Sequence, residues 1–177
     1  MHVKAKTIAF GGLLLALTVV FMALGSIIET STLFLLAAAS YFVGIVVREF
    51  GLRTGAAFYI AAVLLGFITA PNKFYVITFA AMGFYIWGAE AVWRWLEKRH
   101  EMKKRNVVFW ISKFVIFNII YIPIVVFFRD LLFTQAISEA VMAGIIAGGQ
   151  IGLFIYDRAY DYTQAHIWGK MRGRVMN

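Results

Sequence analysis

Apolar blocks of about 17 to 25 residues recur along this chain, separated by short polar or charged segments. A helix of that length spans the roughly 30 Å hydrocarbon core of a bilayer. Runs such as GGLLLALTVVFMALGSII do not alternate polar with apolar, which argues against a membrane barrel. In lipid every backbone N–H and C=O needs an internal partner, so helices are the expected form. Hydrophobic residues make up 62% of the chain and charged residues only 15%, too few to cover the surface of a water-soluble domain of this size. The pattern predicts an all-α integral membrane bundle of six transmembrane helices over residues 1–156, followed by a basic tail over 157–177.

The predicted spans are residues 8–28, 33–47, 55–70, 74–93, 107–128 and 137–156. Orientation follows from the cations. With the N-terminus inside, fourteen of the 17 Lys and Arg fall in inner segments, two (Lys73 and Arg129) in outer turns, and Lys113 inside span 5. Cations are retained on the cytoplasmic side, so both termini are expected there. Lys4, Lys6 and the first apolar run mimic a secretory signal, but about 20 residues is long for its hydrophobic region. Trp87, Trp93, Trp95 and Trp110 fall at or near the inner interface, as an aromatic belt would.

The charge of +8 has this topological cause and does not call for nucleic acid. The absence of Cys excludes disulfides and thiol chemistry, and the three His are scattered, so no metal cluster is expected. No GxSxG, HExxH or GxxxxGK[ST] pattern occurs. The expectation is a non-enzyme without cofactors, whose energy, if it needs ATP, comes from another chain.

Ionisable residues inside a bundle are the sharpest pointers to function. Glu90 and Lys113 are the deepest, and the spacing predicts that they pair, with Arg94 one turn from Glu90 as a second partner. At the outer ends, Glu29, Asn72, Lys73, Tyr75, Arg129 and Gln135 combine polar groups with flanking aromatics, the ingredients of a small-molecule pocket. The cations would neutralise an anionic group, while Asn72 and Gln135 would donate and accept. APNK (70–73) reads as a tight outer turn, because Pro71 disfavours helix at Ala70 and Asn72 is at home there. Small-residue faces occur at Gly12 and Ala16 in span 1, and at Gly144, Gly148 and Gly152 in span 6. Such faces let helices approach closely, within this bundle or against another subunit. The segment RWLEKRHEMKKRN (94–106) places six cations and two acids near anionic lipid.

Two stretches carry a resemblance. GGLLLA (11–16) looks like the AxxxA element, with Gly12 where the pattern has Ala, by which one family contacts its coupling partner. REFGLRTGAAFYIAAVLLGF (48–67) looks like that family's Gly-containing turn and small-residue third helix. Over about residues 5–156 the chain thus resembles the substrate-binding S components of energy-coupling-factor (ECF) transporters. The resemblance implies six helices and capture of a vitamin-like micronutrient at the outer face. It also implies dependence on a T component and two ATPase subunits, with Gly12 and Ala16 at the docking face. Members often fold a long first outer loop over the ligand; here that loop is residues 29–32. The alternative is a non-transport membrane scaffold resembling the cell-shape protein MreD, which needs no outer pocket. A carrier working alone is a third reading, for which internal repeats would be expected and none is evident.

Overall fold

The structure is a computed structural model that describes residues 2–99, 104–127 and 138–175, with the side chains of 2–7, 29, 174 and 175 outside that description. The described residues are helical throughout apart from short turns, with no strand among them. Six of their helices are long and apolar enough to cross a membrane. Large apolar side chains such as Ile68 and Phe34 are about three-quarters exposed, while Glu90, Lys113 and Asp157 are buried. So much exposed apolar surface around an apolar core that also holds a few charges is unlike a water-soluble protein. The chain is a multi-pass membrane protein by this composition and pattern. It forms two compact units, Met1–Arg105 and Asn106–Asn177.

The first unit holds α1 (His2–Ile27), α2 (Thr32–Phe50), α3 (Leu52–Thr69) and α4 (Lys73–Glu97). Short turns make consecutive helices antiparallel. Turns 28–31 and 70–72 therefore share one end of the unit, the Asn72 end, and Gly51 marks the other. α2 is the central helix, packed against α1, α3 and α4. Its Leu36, Ala39, Val43 and Val47 are fully buried, as are Met22 of α1, Ala62 of α3, and Val76, Phe79 and Ile86 of α4. Lipid tails are as apolar as these side chains, so shape fit rather than escape from water holds the unit together. Gly51 adopts φ +92°, a conformation that favours glycine, and lets α3 start one residue after α2 ends. Gly55 then lies against Val47, where any Cβ would collide.

The second unit holds α5 (Arg105–Phe127, counted here from Asn106) and α6 (Glu139–Tyr162). α5 stays helical through Pro123. Ser138 caps α6 by accepting a bond from the Val141 amide, with Glu139 favourably placed in the first turn. The helix does not stop at 156 as the sequence suggests. It runs through a π-helical stretch, Thr163–Trp168, into α7 (Gly169–Val175). Residues 157–175 are therefore one continuous helical extension, because Thr163 and Gly169 keep right-handed helical dihedrals.

Polar rungs join α5 to α6. Asn118 and Gln150 exchange side-chain hydrogen bonds of 3.2 and 3.0 Å. Tyr121 donates to the Ile145 carbonyl at 2.8 Å, its ring lying across Gly149 where a Cβ would collide. Trp110 stacks on Phe154 at 6.1 Å. The most buried rung is an ion pair between Lys113 and Asp157.

Candidate functional site

Three of the six predicted binding residues fall on one described turn. Asn72 is the N-cap of α4, its Oδ1 accepting from the Phe74 amide at 3.0 Å. Lys73 donates through Nζ to the carbonyls of Phe67 (2.6 Å) and Ala70 (2.8 Å), covering orphan acceptors at the end of α3. So this turn is held by two side chains pointing in opposite sequence directions, one capping each helix. Both remain exposed, and Tyr75 is half-buried beside them. The groups left over include two sets of donors, the Asn72 amide NH2 and the third ammonium hydrogen of Lys73. Such a turn can receive an anion or an acceptor, and it is poorly suited to a cation. Beneath it, Met22, Gly66 and Val76 meet and fill the space between α1, α3 and α4.

At the same end, Glu29 lies in a 3-10 turn, Glu29–Ser31, and its side chain is outside the described residues. Thr32 ties that turn down by donating to the Gly25 carbonyl at 2.8 Å. Arg129 and Gln135 are also outside the described residues.

The predicted docking residues Gly12 and Ala16 are exposed, with Ala9 and Leu13 beside them. A Cβ added at Gly12 would meet nothing within 4 Å. The same openness holds at Gly144, Gly148 and Gly152. Close packing in α6 instead falls one residue away, at Gly149 against Tyr121. A spacing-four search singles out the first three because it cannot see which helix face an aromatic partner occupies.

Glu90 and Lys113, predicted to pair, each have an ion-pair partner within their own unit. Arg48 of α2 reaches Glu90 Oε1 with Nε at 2.7 Å and Nη2 at 2.6 Å. Arg94 does not serve Glu90 as expected; its Nη2 donates to the Val47 carbonyl at 2.5 Å, closing the end of α2. Trp87, two turns before Arg94, donates to Leu52 O at 3.2 Å. One face of α4 thereby clasps the α2–α3 turn. The reason is geometric: α2 packs directly against α4, which sets Arg48 and the end of α2 beside Glu90 and Arg94.

Lys113 is 3% exposed and sits 2.7 Å from Asp157 Oδ1, with Asp161 Oδ2 at 4.0 Å. The Phe109 ring centroid is 4.3 Å from the ammonium and that of Trp110 is 5.4 Å away. Desolvating an ammonium is costly, and a buried carboxylate with aromatic faces offsets that cost. Sequence reasoning missed Asp157 because it ended the last span at 156. A usable signal was present: Asp157 and Asp161 lie four apart on one helical face, in antiparallel register with Lys113. It also passed over Asn118 and Gln150, each near the middle of its helix.

Among the described residues, no group of three His, Cys, Asp or Glu converges to hold a metal ion. Chemically, the site offers exposed donors at the Asn72 end, an ion-paired clasp at the Gly51 end, and open small-residue faces on α1 and α6. No protein-family model, curated protein or solved structure matches this chain.

Proposed function

We propose that this chain is the membrane-embedded binding subunit of an ECF-type importer, capturing a small anionic, vitamin-like solute at the Asn72 end. In this reading both termini and the Gly51 end face the cytoplasm of a bacterial cell, since fourteen of 17 cations then lie inside. The observation that carries it is the open face of α1. Gly12 and Ala16 line an exposed strip where another helix can approach backbone to backbone. The resemblance places the T component there, with two ATPase subunits supplying the energy. The donor groups remaining on Asn72 and Lys73 suit a carboxylate or phosphate, joined by Glu29, Tyr75, Arg129 and Gln135 as the rest of the rim. The chain itself performs no reaction in this scheme and holds no cofactor.

The capping duty of Asn72 and Lys73 favours a second reading, a scaffold resembling MreD. A turn whose polar side chains serve its own helices needs no solute. Purification from the native membrane separates the two. Co-purifying ATPase subunits and a bound small molecule support the importer, and the ATPase subunits should disappear from Gly12→Leu preparations that still fold. Recovery of cell-shape or wall-assembly proteins, with no ATPase, would overturn it.

A further inference from the structure

The Gly51 end of the first unit carries a second kind of cation from those described so far. Arg48 is committed to Glu90, and Arg94 to α2 carbonyls. Arg99 and Arg105 instead sit over indole rings. The Arg99 guanidinium carbon is 4.4 Å from the Trp95 centroid, and that of Arg105 is 5.3 Å from the Trp93 centroid. Trp95 is 48% exposed at the end of an apolar helix, the position at which indoles settle between hydrocarbon and headgroups. A guanidinium over an indole uses its π-face, while its in-plane N–H fork stays able to grip two oxygens of one phosphate. Lys98 and Lys104, both exposed, add charge beside the two pairs. At the opposite end of the unit, Lys73 is engaged with backbone carbonyls.

The geometry points to a binding surface for the phosphate headgroup of an anionic phospholipid, built from the pairs Trp95–Arg99 and Trp93–Arg105 and supported by Lys98 and Lys104. The occupant is a lipid rather than a free anion, because each gripping cation rests on an indole, a side chain that settles at the headgroup level of a membrane. This surface is independent of any solute at the Asn72 end and of which side of the membrane each end faces.

The purified chain in neutral phosphatidylcholine nanodiscs tests this by titration with phosphatidylglycerol, followed by thermal unfolding and native mass spectrometry. Phosphatidylglycerol should raise Tm and remain bound, while added phosphatidylcholine or inorganic phosphate should do neither. Removing a cation near a membrane surface weakens attraction about fivefold, so R99Q/R105Q should bind about 25-fold more weakly. Lys73→Gln should bind as the parent does. A photoactivatable phosphatidylglycerol on the unaltered chain should label residues 93–105, which keeps the test decisive if the double variant misfolds. Equal stabilisation by phosphatidylcholine, unchanged binding by R99Q/R105Q, or labelling elsewhere would overturn the assignment.

Discussion

The two units solve the same problem by different means. In the first, α2 is enclosed by three neighbours, and fully buried Val, Leu, Phe and Met side chains interlock around close approaches such as Gly55 on Val47. In the second, two helices meet along polar rungs, with Lys113–Asp157, Asn118–Gln150 and Tyr121–Ile145 in antiparallel order. Hydrocarbon gives no hydrophobic drive between helices, so association rests on shape and hydrogen bonding. Four helices provide enough facing surface for shape to dominate, with the Arg48–Glu90 clasp added at one end. A pair does not, and its seam uses directional bonds.

The largest test of that contrast is Lys113→Met. It leaves Asp157 buried without its cation, and loss of one partner of a buried pair costs about 3–5 kcal/mol. Denaturant unfolding in detergent should show this loss, and K113M/D157L should recover most of it. If the single variant unfolds like the parent, the seam does not depend on its ion pair.

Shape should dominate in the first unit. Gly55→Val drives a side chain into Val47 and should destabilise by about 1–3 kcal/mol. Gly144→Val, on the open face of α6, should change the isolated chain by less than about 0.5 kcal/mol. Equal effects at the two positions would erase the distinction between packed and open glycines.

Smaller effects sharpen the comparison at its edges. Asn72→Ala removes the α4 cap and should cost about 1 kcal/mol, visible as faster amide exchange at Phe74. Solute uptake that survives this change would confine Asn72 to capping. Asn118→Leu removes the mid-helix rung, and single membrane hydrogen bonds average about 0.6 kcal/mol, so its effect should fall below that of Asn72→Ala. A loss several times larger would mean that the rungs act cooperatively.

Much of the fold was legible because its signals are local. Apolar run length marked the six spans, Pro71 and Asn72 marked the turn between α3 and α4, and Gly51 marked the turn between α2 and α3. The limits of α6 were less legible. Asp157, Arg158 and Asp161 resemble the start of a solvated tail in composition, yet Asp157 is fully buried on Lys113. A charge reads as polar until its partner is known. For the same reason Glu90 was visible as important while its partner, Arg48, was not; the two lie 42 residues apart and meet only where α2 packs against α4.

By itself, the order of residues determined the solvent this protein needs, the helices long and apolar enough to cross it and the positions of their turns. Those depend on run length, on backbone hydrogen-bond demand and on the few residues that tolerate a turn. Tertiary structure alone decided which charges pair, which glycines are packed and which stay open, and that Lys73 serves a helix end. These depend on helix rotation and register, which are set by the combined fit of side chains from distant parts of the chain.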